Sequence, residues 1–321
     1  MRNALLFVLT LFGASLCSGA EVYPSKPVRV IVPFAAGSAT DIAARVISQQ
    51  LSEQLGKSFI VDNRLGAGGR IATDFVAKSL PDGYTLLMAE PGLVIQPAVN
   101  KSLPYDVIKD FAPITQTDRK PLALLVHPVL NVTTLKEFIS LAQASPGKYN
   151  YGSGGVGSAS HVWTELFKIA AKVNIVNVPF KGSSEVTAAM LGSSDVQIVI
   201  TTFTSLLPYI KSGQLRPLAV STDGNRAPEL PSVPSFGEAG VPGMVIYAWG
   251  GMLGPAGMPR EVVNKLRAEV VKVLAVPTIR ERFVSQGSEI VASSPEEFSK
   301  FIRGEIPRWA GVVKSAGIPT E

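Results

Sequence analysis

Short runs of β-branched and apolar residues alternate with longer amphipathic stretches along most of the chain. Val28-Arg-Val-Ile-Val-Pro-Phe34 reads as a buried strand. Asp41 to Leu55 follows, with Ala44, Ile47, Leu51 and Leu55 on one face, the spacing of a helix that buries a single stripe. Phe59 to Asp62 reads as a second strand. Gly66-Ala-Gly-Gly69 is a turn opening a second helix through Lys78. Pro81-Asp-Gly83 is a turn before a strand from Tyr84 to Met88. A β-α-β-α-β order predicts a parallel sheet with helices on both faces.

A second α/β series comes next. Leu122 to Val126 reads as a strand that crosses between domains. Thr134-Leu-Lys-Glu137 is a capping box for the following helix. Tyr149-Asn-Tyr151 leads into a glycine loop and a helix from Ser158 to Ala171. Ile175 to Val178 is a strand, Ser184 to Leu191 a helix, and Val196 to Ile200 and Leu215 to Val220 are strands. Near Trp249 the composition turns to Gly/Pro-rich connections. Helices from Arg260 to Leu274 and Pro295 to Ala310 close the chain, the second opened by Ser294-Pro-Glu-Glu297. The expected class is α/β with two lobes, each a mainly parallel sheet flanked by helices. Residues 24–122 plus 245–321 form a discontinuous first lobe and 123–244 the second. Ligands of open α/β sheets bind at the carboxyl ends of the strands, here between the lobes.

The first twenty residues change where such a protein works. Arg2 is followed by an almost wholly apolar run from Ala4 to Leu16 and by Ser18-Gly19-Ala20, the pattern of a signal peptide cleaved after Ala20. The run is shorter than the ~20 apolar residues of a spanning helix. Export to the periplasm is therefore expected. Cleavage also removes Cys17, the one cysteine, and with it any disulfide or cysteine metal site. A hydrophobic share of 46% against 17% charged fits a compact chain with a core of its own. The net charge of +5 is diffuse, with no basic run longer than Arg119-Lys120, so it suits an anionic solute rather than nucleic acid.

Three places repeat one pattern of strand, small-residue loop and helix start. They are Pro33-Phe-Ala-Ala-Gly-Ser-Ala-Thr-Asp41 (loop one), Tyr151-Gly-Ser-Gly-Gly-Val-Gly-Ser-Ala-Ser-His161 (loop two) and Pro179-Phe-Lys-Gly-Ser-Ser184 (loop three). A helix start offers unpaired N–H groups and a positive dipole end, which suits an anion. Each loop by itself is also ordinary helix capping, and Ser38-Ala-Thr-Asp41 is a capping pattern. Phe34 and Phe180 adjoin these loops and either touch a ligand or pack in the core.

Enzyme chemistry finds little support. There are two histidines, His127 and His161, and no paired-ligand spacing, so no metal site is expected. The surroundings of Ser153 and Ser158 are not Gly-x-Ser-x-Gly. Nothing in their spacing singles out Ser153, His161 and Asp195 as a triad. Gly66-Ala-Gly-Gly69 lacks the Lys-Ser/Thr of a phosphate loop and the third glycine of a dinucleotide fingerprint, so no cofactor is expected.

The whole mature chain resembles the Bug-type (tripartite tricarboxylate transporter) extracytoplasmic solute-binding proteins. The resemblance is carried by Tyr23-Pro-Ser-Lys-Pro-Val-Arg29, Thr40-Asp-Ile-Ala-Ala-Arg45, Asp62-Asn-Arg-Leu-Gly-Ala-Gly-Gly69 and Pro81-Asp-Gly-Tyr-Thr-Leu-Leu87. It continues through Tyr105-Asp106, Lys109-Asp-Phe-Ala-Pro113, Pro179-Phe-Lys-Gly-Ser183 and Trp249-Gly-Gly-Met-Leu-Gly-Pro255. It implies a Venus-flytrap fold that closes on a small carboxylate, held by loops one and two largely through backbone and ordered water. On matching positions it points to Phe34, Gly37, Ser38, Thr40 and Asp41 in one lobe. In the other it points to Ser153, Gly155, Gly157, Ser158 and His161, with Lys181 and Gly182 in loop three. Ser38 replaces a second glycine of many members, Phe180 a tyrosine, and Thr201 an aspartate able to pair with a ligand ammonium. The expected ligand is thus an aromatic or aliphatic dicarboxylate without an amine. The implied partner is a tripartite membrane transporter, and the protein is expected to be a monomer. A ligand-presenting partner of a membrane receptor is the alternative reading, and a secreted hydrolase a further one.

Overall fold

The computed structural model describes residues 23–192 and 195–320; the leader predicted over 1–20 lies outside the described residues. In chain order the elements begin β1 (Val28–Val32), α1 (Ala39–Leu55), β2 (Phe59–Asn63), α2 (Arg70–Ala77), β3 (Thr85–Ala89), α3 (Gly92–Val99) and β4 (Phe111–Val126). There follow α4 (Leu135–Ala144), β5 (Asn150–Ser153), α5 (Ala159–Ala171), β6 (Val176–Pro179), α6 (Ser183–Gly192), β7 (Ile198–Thr202), α7 (Leu207–Lys211) and β8 (Arg216–Val220). The last are β9 (Tyr247–Pro255), α8 (Arg260–Ala275), α9 (Pro277–Val284), β10 (Glu289–Ile290) and α10 (Pro295–Ala316).

Polar residues fix several helix starts. Ser38, Ser158, Thr134 and Ser294 each accept a backbone N–H of their helix's first turn through the side chain. Thr134 and Ser294 complete capping boxes with Glu137 and Glu297, as their spacing predicts.

The sheet order is β2-β1-β3-β9-β4-β7-β5-β6, with β8 and β10 as further neighbours of β4. β1 runs parallel to both β2 and β3. β5 runs parallel to both β6 and β7. These are the strands that the alternating βα order makes parallel. Antiparallel strands join the two groups. β9 lies between β3 and β4. β4 pairs with β9 from Phe111 to Pro121, then from Leu122 to Val126 it lies between β7 and β8.

The strand predicted over Leu122 to Val126 is thus the last third of a 16-residue strand. The Gly/Pro-rich connection expected near Trp249 is instead the nine-residue strand β9. Its glycines leave room for neighbours: a Cβ on Gly250 would sit 2.6 Å from the Asp118 carboxylate, and one on Gly251 would run into the Phe298 ring. Helix α3 escapes the periodic pattern because Leu93, Val94, Ile95, Gln96 and Val99 are all buried and Pro97 sits inside it.

Helices cover both faces. Val28, Val30 and Val32 of β1 point into a core with Ile47 and Leu51 of α1 and Leu266 and Val270 of α8. Ile31, one residue out of phase, faces a larger core on the other side, as the period of two requires. That core runs without a break from Val94 and Val99 of α3 to Phe138 of α4 and Phe167 of α5, through Phe298, Ile302 and Trp309 of α10. Helix α10 packs on α3, on β4 and on α5. A third core holds Val186, Met190, Phe203 and Leu206 against Leu125.

Candidate functional site

Loop one leaves the carboxyl end of β1 and enters α1 at Ser38. Ala35, Ala36 and Gly37 are exposed, whereas Asp41 is buried. Its carboxylate is fully engaged by the protein. Oδ2 accepts the Gly37 N–H at 2.8 Å and Arg45 Nε at 2.9 Å, and Oδ1 accepts Asn63 Nδ2 at 2.8 Å. Asn63 Nδ2 also donates to the Phe34 carbonyl at 2.8 Å. Burial by itself would raise the Asp41 carboxyl. The hydrogen bonds from Arg45, Gly37 and Asn63, with the Arg45 charge, outweigh it and hold the group below the usual carboxylate range. Asp41 therefore shapes loop one from beneath. The first N–H groups of α1, at Ala39 and Thr40, have no partner within the helix. Phe34 and Thr40 are half-buried beside them.

Loop two repeats this construction at the end of β5. Ser158 caps α5, its Oγ accepting the His161 N–H at 3.3 Å and standing 3.3 Å from Ser160 Oγ. Ser160 Oγ also accepts the Gly154 N–H at 3.0 Å. His161 is buried, and its Nδ1 accepts the Gly157 N–H at 3.0 Å. Behind it, Glu165 Oε1 accepts the Tyr151 hydroxyl at 2.6 Å and Lys168 Nζ at 2.7 Å, and lies 3.9 Å from His161 Nε2. Burial lowers the imidazole pKa and Lys168 lowers it further, while Glu165 opposes both. Burial and the same carboxylate push the Tyr151 phenol far up, so it remains a donor. The Ser153 hydroxyl is buried and donates to the Gly155 carbonyl at 3.4 Å. With His161 Nδ1 committed to Gly157, neither group is set up as a nucleophile and its base.

Loops two and three are in contact. The Phe180 N–H donates to the Ser153 carbonyl at 2.9 Å, and the Phe180 ring packs against the third core. Lys181 is exposed and its N–H donates to Glu185 at 3.1 Å, while the Gly182 carbonyl accepts from Val186 at the start of α6. Thr201 lies opposite Ala123, one residue from the carboxyl end of β7. β7 is parallel to β5, so Thr201 stands on the same rim as loop two. Loop two also approaches the helix that follows β3, because a Cβ on Gly157 would stand 3.2 Å from Val99 of α3.

Several residues that build this rim are absent from the sequence-derived set. Asn63 and Arg45 hold Asp41, while Tyr151 and Glu165 stand behind His161 and Lys168 pairs with Glu165. Arg45 and Glu165 were findable, each four residues along the helix from the residue it serves. Asn63 is far in sequence from its partners, and a strand pattern says nothing of what its end touches. Glu90, just past β3, lines a small cavity with Pro33, Gly69, Gln96 and Tyr105. Burial pushes its pKa up to about 7, against a hydrogen bond from the Gly92 N–H that favours the charged form. Among the described residues no cluster of His, Cys, Asp or Glu is placed to hold a metal. No described helix is long and apolar enough to cross a membrane.

The model of the family described as "Tripartite tricarboxylate transporter family receptor" matches residues 43–318. Protein BugT of Bordetella pertussis is 35% identical over 314 residues, covering 97% of this chain and 95% of that protein. Among solved structures, R. palustris Rpa4515 with adipate is similar at a TM-score of 0.84 and 36% identity, over 93% of this chain and all of that one. MatC (Rpa3494) from Rhodopseudomonas palustris, with bound malate, is similar at a TM-score of 0.81 and 31% identity, over 91% of this chain and 100% of that chain. The fold is that of the two-lobed periplasmic binding proteins.

Proposed function

The chain belongs to the tripartite tricarboxylate transporter receptor family of periplasmic solute-binding proteins, and on that premise we propose that it captures a small dicarboxylate without an amine and delivers it to a membrane transporter of the tripartite tricarboxylate type. The lobes of this clamp are 24–122 with 245–321, and 123–244. The partner change of β4 at Pro121–Leu122 and the start of β9 at Tyr247 support those limits. In this reading the chain reaches the periplasm by cleavage after Ala20 and works as a monomeric binding protein, not an enzyme.

One observation carries the reading. α1 and α5 both start at a serine cap, in small-residue loops held from beneath by Asp41 and His161, with N–H groups and positive dipole ends left for an anion. Two such helix starts together suit one carboxylate of a ligand, and two relatives are solved with the dicarboxylates adipate and malate. Thr201 supplies no charge for an ammonium, which favours a ligand that lacks one.

Thermal unfolding of the mature chain with adipate, malate, aspartate and glutamate tests this. A dicarboxylate at a hundredfold excess over its Kd adds about 2.7 kcal/mol of stability, visible as a dose-dependent rise in Tm. Stabilisation by the amino acids, with none by either plain dicarboxylate, would overturn the ligand class.

A further inference from the structure

The Gly157–His161 hydrogen bond constrains which form of the imidazole loop two tolerates. Gly157 donates its N–H, so Nδ1 must be a bare lone pair and the ring proton belongs on Nε2, facing Glu165. A proton on Nδ1 would set two donors against each other across 3.0 Å. Loop two has little room to absorb that conflict. Gly157 holds a φ of +74°, and Val99 closes the space above it. The Tyr151 ring lies along one face of the imidazole at 6.3 Å, with 20° between the planes.

The charged groups acting on the ring are Glu165 and Lys168 of its own helix. From β5 comes only the Tyr151 phenol. Among the described residues, α10 and β7, which also pack on α5, contribute no charge that shifts the imidazole. Glu165 is already shared between Tyr151 and Lys168, so it is only a partial counter-ion for an imidazolium.

We propose that His161 is a positioning residue whose neutral imidazole holds loop two in its carboxylate-binding form, and that a proton on Nδ1 releases the loop and weakens capture in acid. The proposal rests on the reading of loop two as part of the carboxylate site. The sign follows from the buried ring. The unfolded chain binds a proton more readily than the folded one, so loop integrity is complete above the ordinary imidazole value, about 6.5, and is lost as pH falls below it.

Two measurements test it. Nitrogen-15 NMR of the unaltered, ligand-free chain from about pH 8 to 5 should show the proton on Nε2 at the upper end, and the Gly157 amide should shift with the midpoint of the imidazole. A proton on Nδ1 at the upper end, or a Gly157 amide indifferent to the titration, overturns the proposal. Adipate affinity of the parent and of His161→Asn, which keeps an acceptor near the place of Nδ1, is then followed over the same range. Adipate's own protonation is common to both, so their ratio isolates the imidazole. Whatever affinity the variant keeps near neutrality, the parent should fall about tenfold relative to it between neutrality and acid. Parallel profiles overturn the proposal. A parent that never binds adipate counts against the proposed ligand, and the NMR measurement still decides the role of His161.

Discussion

Asp41 and Glu90, two carboxylates near the carboxyl ends of β1 and β3, titrate in opposite senses because one has a cation beside it and the other has mainly burial. For Asp41 the folded pKa lies below the ordinary 3.8, so its stabilisation is complete above that value and lost as pH falls below it. For Glu90 the folded pKa lies above the ordinary 4.5, so its contribution is complete below about 4.5 and lost as pH rises to about 7. Glu90→Gln should therefore leave stability near pH 4.5 unchanged and raise it by about 1–3 kcal/mol near pH 8, read from urea midpoints at the two pH values. A uniform loss at both would contradict this account. The helix caps at these loops were legible in sequence, because a serine before an apolar period has one local job. Of the partners of Asp41 and His161, those one helical turn away could be read from spacing, whereas Asn63 and Tyr151 could not, because they arrive from strands. The sequence placed Asp41 in the ligand loop, and the folded chain adds that it braces that loop through Gly37, Arg45 and Asn63.

At the scale of elements, the parallel strands and amphipathic helices follow their periods closely. The errors fall where a period is masked. Helix α3 is buried on most of its sides, Gln96 included, and β9 reads as a connection because glycines fill positions that α10 and β4 approach most closely. For β9 this gives a definite expectation. Gly251→Ala places a methyl against the Phe298 ring and should cost about 1–3 kcal/mol, the usual penalty of overpacking. Adding Phe298→Leu should recover part of that loss, a non-additivity that denaturant melts of the four variants of the cycle would detect. Strictly additive losses would show that the two residues do not share the space.

For the whole molecule, the largest core decides how the chain comes apart. It runs from α3 through α10 to α5, so neither group of strands has an apolar interior of its own on that face. Calorimetry of the ligand-free mature chain should show one transition, with calorimetric and van't Hoff enthalpies agreeing. Two separated peaks would mean that the lobes fold independently despite the shared interior. Gly157 of loop two approaches Val99 of α3, and next to it Val156 stands 59% exposed. Cys17, the chain's one cysteine, falls in the predicted leader. In a preparation that begins after Ala20, Val156→Cys would therefore carry the sole thiol, open to a single environment-sensitive dye. Placed where loop two approaches α3, that dye would turn the protein into an optical gauge of occupancy, able to report a ligand before its chemistry is known.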